Sequence, residues 1–265
     1  MKMGIYEDLK GKRVLITGAS HGIGKAVAKA FSEAGARIVL NYRTSPELAE
    51  AAAAEMPGEV HLFRADIGDG EQRDAMFGEI RRVFGGLDCA VNNAGWNHPG
   101  IPLGQIDEKL YYQLTDINIK GTLFCCLSEI ALMRGHGGSI INIGSVHQDT
   151  SVPGRTLYSA SKGAIHSLTG QLLLEVGEEQ IRLNNVVPGF IDIGEPSVTG
   201  KDRTGIPLRR YGKVEDVAAL CLFLGSQDSS FINGADLVID GGVSRRLARI
   251  PFDHCEGNDI DHFTA

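Results

Sequence analysis

Three things are scarce in this chain of 265 residues: an excess of positive charge, long apolar runs, and cysteines at paired or ligand spacing. Lys and Arg number 26 against 33 Asp and Glu, a net charge of −7. A dense basic patch for nucleic acid or an anionic membrane surface is therefore not expected. The nearest basic cluster, Arg245, Arg246 and Arg249, is short and reads as a solvated turn or a subunit contact. No apolar run approaches the roughly 18 residues that cross a bilayer, and the opening segment lacks the apolar stretch of a signal peptide. The five cysteines, Cys89, Cys125, Cys126, Cys221 and Cys255, are odd in number and lack metal-ligand spacing. A reduced, cytoplasmic setting without nucleic-acid or membrane partners is expected, and no metal.

What is present is a large apolar fraction, 43%, and 34 glycines, enough for a sizeable core and many tight turns. Short β-branched runs alternate with helical stretches. Strands are expected at Arg13–Thr17, Ala36–Asn41, Val60–Arg64, Cys89–Val91, Ser139–Ile143, Leu183–Val187 and Asp236–Ile239. Helices are expected at Gly22–Ala34, Pro46–Glu55, Glu71–Phe84, Asp107–Met133, Thr156–Gly177 and Val214–Leu224. Strands apolar on both faces, separated by helices, imply a parallel sheet covered on both sides. The expectation is α/β: one doubly wound (Rossmann) domain over 1–265, with about seven mostly parallel strands, a core over about 10–242 and a tail over 243–265.

The first strand runs into Thr17-Gly18-Ala19-Ser20-His21-Gly22-Ile23-Gly24, which opens a helix. Glycines let a backbone approach a pyrophosphate, and free N–H groups at a helix start favour the anion. The spacing is Gly-x-x-x-Gly-x-Gly rather than the general Gly-x-Gly-x-x-Gly. A carboxylate ending the second strand would bond a ribose 2′-hydroxyl and repel a 2′-phosphate. Here that place holds Asn41-Tyr42-Arg43, and Arg43 offers a phosphate paired donors, so NADP is favoured, with NAD also acceptable.

Tyr158 and Lys162, four apart at the start of a helix, share one face. An ammonium beside a phenol lowers its pKa from about 10, which suits proton exchange with a hydroxyl or carbonyl oxygen. Ser145, thirteen residues upstream, follows a strand end, the edge of a doubly wound sheet where ligands sit. Its hydroxyl can hold a reacting oxygen.

Together these segments resemble the short-chain dehydrogenase/reductases: Thr17–Gly24, then Asn92-Asn93-Ala94-Gly95, Asn118, Ser145, Tyr158 and Lys162, in family order from about Lys10 to Gly242. The resemblance implies that Asn118 holds a water in a proton relay to Lys162, and that Lys162 bonds the nicotinamide ribose. It implies Asp66 and Ile67 at the adenine, and Asn92, Ala94 and Gly95 along the cofactor. Pro188, Gly189 and Ile191 would border the nicotinamide. It implies a homotetramer with the helices at 107–133 and 156–177 between subunits. One departure is Ile193, where the family usually has a Thr that contacts the cofactor.

Ser145-Val146-His147 looks like the corresponding segment of bacterial glucose 1-dehydrogenases, with Asn41-Tyr42-Arg43 similar there too. A sugar or polyol is the first substrate class, with His147, Gln148, Asn97 and His98 as hydroxyl partners and Trp96 as a floor. A 3-oxoacyl thioester on an acyl carrier is the alternative, with Arg203, Arg209 and Arg210 as a docking patch. A non-catalytic cofactor sensor is the alternative from another class, but Ser145, Tyr158 and Lys162 are all retained. The segment 193–207 reads as a lid. The tail, with His254, Cys255 and His262, reads as an arm to a neighbouring subunit rather than a metal site.

Overall fold

The computed structural model describes residues 6–98, 100–194 and 205–245. Strand and helix alternate in the order β1 (Arg13–Ile16), α1 (Gly22–Glu33), β2 (Arg37–Tyr42), α2 (Pro46–Ala54), β3 (Val60–Arg64), α3 (Gly70–Phe84) and β4 (Cys89–Asn92). There follow α4 (Glu108–Thr115), α5 (Thr122–Met133), β5 (Gly138–Ile143), α6 (Thr156–Val176) and β6 (Ile181–Pro188). A short pair, β7 (Ile191–Asp192) and β8 (Gly212–Lys213), then α7 (Val214–Gly225) and β9 (Asp236–Ile239) complete the series. Seven strands form one sheet in the order β3-β2-β1-β4-β5-β6-β9, with every pairing parallel. The expected doubly wound α/β fold is what the chain adopts. The small β7–β8 pair had no counterpart in the sequence reading, because two residues carry no alternation.

Side chains alternate across the sheet, as a strand's two-residue period requires. Val14, Ile16, Ile38, Leu40, Val91 and Ile141 join a core with α1, α2 and α7. Leu15, Val39, Ala90, Ile140 and Leu183 join a second core with α3, α5 and α6. The order reverses between β1 and β4, so the connections after these strands diverge and leave a crevice at their carboxyl ends.

The stretch 107–133, expected as one helix, is interrupted. Asp107 caps α4 by accepting a bond from Leu110 N at 2.7 Å, and residues Asp116–Gly121 form a π-helical turn before α5 begins. Such turns are commonly local insertions at functional positions, and this one carries Asn118. The tail expectations beyond Arg245, including His254, Cys255 and His262, lie outside the described residues, as does 195–204 of the supposed lid.

On the side of the second core one rung across four strands is polar. Asn92, Asn142, Asn185 and Asp236 are partners in register across β4, β5, β6 and β9. Asn92 Nδ2 donates to Asn142 Oδ1 (3.0 Å), and Asn142 Nδ2 to Thr169 Oγ1 on α6 (2.9 Å). Thr169 Oγ1 donates to Asn185 Oδ1 (2.7 Å), and Asn185 Nδ2 to Asp236 Oδ1 (2.7 Å). At the inner end Asn92 Nδ2 also donates to Glu129 Oε2 of α5 at 2.9 Å. Glu129 is fully buried, and burial pushes its carboxyl from the ordinary 4.5 up to about 8.

An unfolded chain loses that proton near pH 4.5 while the folded one keeps it to about 8. This group's contribution to stability therefore falls as pH rises between the two values, by about 1.4 kcal/mol per unit at most. Glu129→Gln keeps the shape and removes the titration. Thermal melts are expected to show a gain over wild type that is larger at pH 8 than at pH 5. Equal shifts at both pH values would contradict this reading of Glu129.

Candidate active site

The glycine segment is built by backbone that needs those glycines. Gly18 has φ +62° and packs so closely on Ala94 that an added Cβ would lie 2.9 Å from its Cα. Thr17 Oγ1 accepts from Asn93 N (3.1 Å) and Ala94 N (3.0 Å), while Asn93 Nδ2 donates back to the carbonyls of Thr17 (3.1 Å) and Gly18 (3.0 Å). The β1 and β4 turns are thereby clamped together. Asn41 Oδ1 accepts from Gly18 N at 3.2 Å, and its amide donates to Phe63 O (3.2 Å) and Ala65 O (3.0 Å). This buried Asn41 organises the loop with its side chain fully committed. Arg43 is exposed at the end of β2, 3.4 Å from Asp66 Oδ2.

A cavity of about 550 Å³ runs from this loop to the start of α6. Gly18, Ser20, His21, Gly22, Ile23, Asn41, Arg43, Asp66 and Ile67 line one half. Ala94, Gly95, Trp96, Ser145, His147, Tyr158, Lys162, Pro188, Gly189 and Ile191 line the other. Two expected cofactor residues do not line it. Gly24 packs behind the loop, where an added Cβ would strike the Gly18 carbonyl and the Asn93 amide. Asn92 is a correction: it precedes the turn, and strand alternation points its side chain into the buried ladder instead of the cleft. Ile193 faces the glycine loop, with its Cβ 3.7 Å from the place a Gly22 Cβ would take.

At the α6 end, Ser145 hydrogen-bonds Tyr158, and its Oγ accepts from His147 N at 3.3 Å. The His147 ring meets the Tyr158 ring edge to face at 5.7 Å. Burial pushes the Tyr158 phenol above its usual value of 10, with Ser145 and the Arg155 charge pulling the other way. The sequence expectation of a phenol lowered by Lys162 is thus reversed by desolvation in this structure. Lys162 Nζ donates to Ile143 O at 2.7 Å and lies 5.7 Å from the Tyr158 ring centroid; burial lowers its pKa to about 8.

Asn118 sits beneath the cavity wall. Its Oδ1 accepts from Trp96 N at 2.7 Å, and its Nδ2 donates to Trp96 O (3.3 Å) and Ser161 Oγ (3.1 Å). Ser161 Oγ in turn donates to Tyr158 O at 2.7 Å. The π turn therefore ties the β4 loop to the helix that carries Tyr158 and Lys162.

Of the supposed hydroxyl partners, Gln148 and His98 do not line the cavity, while Asn97 lines it and is bonded to Arg155. Gln148 Nε2 donates to Asp236 Oδ2 at 2.8 Å, drawn there by the end of the ladder. Asn97 Oδ1 accepts from Arg155 Nη1 at 2.8 Å, and buried His98 gives its carbonyl to the same guanidinium. Sequence reasoning missed Arg155, Ser161 and Glu129. Arg155 carries one legible cue, its place three residues before Tyr158 at the cap of the same helix.

A family model described as Enoyl-(Acyl carrier protein) reductase matches residues 18–244. The chain belongs to the short-chain dehydrogenase/reductase family. It is 32% identical over 91% of its length to glucose 1-dehydrogenase 2 of Bacillus subtilis, of which 97% is covered. It is 34% identical to 3beta-hydroxysteroid dehydrogenase 1 of Eggerthella lenta, covering 91% of this chain and 96% of that one. A solved short-chain type dehydrogenase/reductase from Mycobacterium marinum superposes with TM-score 0.83 at 34% identity, covering 91% of this chain and 99% of that chain. The protein is an oxidoreductase of a family that uses NAD(P).

Because the Gly24 collision is with backbone, Gly24→Ala is expected to cost about 1–3 kcal/mol of stability. It should also weaken dinucleotide binding by about tenfold or more. Melting temperature and cofactor titration, followed by the fluorescence of Trp96, measure both. Unchanged cofactor affinity would contradict the assigned role of this packing.

Proposed function

We propose that this enzyme interconverts a secondary alcohol and a carbonyl with NADP(H), NAD(H) being accepted more weakly, and that a sugar or polyol is the leading substrate. The observation that carries the reading is the meeting of Ser145, Tyr158 and Lys162 at one end of a cleft whose other end is the glycine loop. The loop fits a pyrophosphate: Gly18 and Gly22 have positive φ, at +62° and +56°, and leave room for close approach. Gly18, Ser20, His21, Gly22 and Ile23 would hold the phosphates, Asp66 and Ile67 the adenine, and Pro188, Gly189 and Ile191 the nicotinamide. The bound cofactor supplies or accepts the hydride.

The chain's own residues manage the proton. Ser145 Oγ holds the reacting oxygen beside Tyr158, which donates to a carbonyl oxygen or accepts from a hydroxyl. Burial raises the phenol, so Tyr158 in the free enzyme holds its proton at neutral pH and can donate it to a carbonyl oxygen. Lys162, partly discharged near pH 8, supplies the cation that stabilises the phenolate when it forms. Asn118 places the Trp96 backbone and the first turns of α6.

Arg43 supports the preference for NADP, since among the described residues no carboxylate other than its partner Asp66 stands at the adenine end of the lining. A homotetramer is supported by exposed apolar side chains on α5 and α6, namely Phe124, Leu127 and Leu174. A cytoplasmic setting accords with buried, free thiols at Cys89, Cys125, Cys126 and Cys221. The thioester alternative draws on the family model's description, but its docking patch is weakened. Arg210 is spent on Asp216 at 2.6 Å.

Assay of sugars, polyols and 3-oxoacyl thioesters with both cofactors, read at the reduced-nicotinamide band, tests the reading. Tyr158→Phe is expected to lower kcat by about 10²–10⁴-fold with cofactor affinity retained. Arg43→Ala should raise KM for NADP by about tenfold and spare NAD. Undiminished turnover in Tyr158→Phe would overturn the proton assignment.

A further inference from the structure

The substrate end of the cleft is cationic in a chain that is acidic overall. Of the described residues lining the cavity, Asp66 is the one carboxylate, and it stands at the adenine end against Arg43. Around Tyr158 the lining offers Arg155 and Lys162 with no acid to neutralise either, among the described residues. Lys162 is turned to the Ile143 carbonyl. Arg155 is not spent in the same way. Only its Nη1 is engaged, by the neutral oxygens of Asn97 and His98, and Nε and Nη2 meet no acceptor among the described residues. Its Cζ lies 6.0 Å from the Tyr158 ring centroid, and its charge also reaches His147.

A half-buried guanidinium without a counter-charge loses hydration that only an anion repays well. The adjacent Nε and Nη2 donors form a planar fork, the geometry that accepts a carboxylate through two parallel bonds. A dianionic phosphate would call for a second free cation, and Lys162 is committed. Resting on the proton-transfer reading of Tyr158 given above, we propose that Arg155 recognises the substrate's carboxylate, and that the substrate is a hydroxy or oxo acid. Its acid group stands a few bonds from the reacting carbon. Sugar acids and short hydroxy acids both meet that description; neutral sugars leave the guanidinium bare.

The test compares acid and neutral members of matched pairs on the intact enzyme with NADP: D-gluconate against D-glucose, and 3-hydroxybutyrate against butane-1,3-diol. Glucose 6-phosphate serves as the phosphate arm. Binding is followed independently of turnover by Trp96 fluorescence, since this is the only tryptophan and it lines the cavity. In at least one pair the acid should bind more tightly and show a higher kcat/KM, by on the order of 30-fold. Arg155→Gln should collapse that ratio, chiefly through KM, and Arg155→Lys should restore part of it. A residue that merely tied α6 to the loop at 97–98 would weaken both members of a pair alike.

Equal binding of acid and neutral members, a ratio untouched by Arg155→Gln, or preference for the phosphate ester would each overturn the proposal. Refusal of both glucose and gluconate, with Arg155-dependent use of 3-hydroxybutyrate, would instead remove the sugar reading and leave this inference standing. Turnover of neutral sugars indifferent to Arg155 would do the reverse.

Discussion

The hydrogen-bonded line Asn92–Asn142–Thr169–Asn185–Asp236 is the constraint on which the rest of this site depends. Each asparagine lies at or near the carboxyl end of its strand, and the chain leaves the sheet within a few residues to build the cleft. Asn92 precedes Asn93-Ala94-Gly95, Asn142 precedes Gly144-Ser145, and Asn185 precedes Pro188-Gly189. Main-chain ladders fix neighbouring strands, but they do not fix a helix lying across them. Thr169 does that by receiving one rung and donating the next, so α6 cannot slide along the sheet without leaving buried amides unpaired. An unpaired buried polar group costs about 1–3 kcal/mol. With α6 held, Tyr158 and Lys162 are held against Ser145 from a separate strand end.

A second tie acts at the other end of α6. The π turn lifts Asn118 out of ordinary helical spacing and lets one carboxamide bind both Trp96 backbone groups and Ser161. The helix bearing the proton donor is thus braced from β4 at its first turns and from the whole sheet further along. Precision of this kind matters to proton transfer, where the reacting oxygen must come within hydrogen-bond reach. Desolvation follows from the same bracing. It raises the phenol, lowers the ammonium and lowers His147, so each group is less charged than in water. Arg155 is a further cationic side chain near Tyr158, bonded only to neutral oxygens among the described residues.

The fold was legible because the strands are apolar on both faces and the glycine turns punctuate them, two signals that depend on local sequence alone. The cleft residues could be named because Thr17–Gly24, Tyr158 and Lys162 lie in short segments. Side-chain destinations were another matter. Asn92 and Asn93 are chemically identical neighbours, yet strand alternation sends one into the ladder and the other to clamp Thr17. Gln148 follows His147 directly and is drawn away by Asp236, 88 residues later. The break in the helix at 107–133 is marked only by Gly121, which closes the π turn against Ile67 and does not by itself tell a π turn from a continuous helix.

Glu129 shows why such a ladder tolerates an acid at its buried end. Asn92 Nδ2 donates to both Glu129 Oε2 and Asn142 Oδ1, but Asn92 Oδ1 and Glu129 Oε1 have no partner among the described residues. As a carboxylate, Glu129 would offer only acceptors in a place already short of donors. Held neutral, it carries a proton of its own and becomes a donor as well. Burial makes the charged form expensive, and this outweighs the bond from Asn92 that favours it. Desolvation raises the pKa, and the bond from Asn92 pulls it part of the way back.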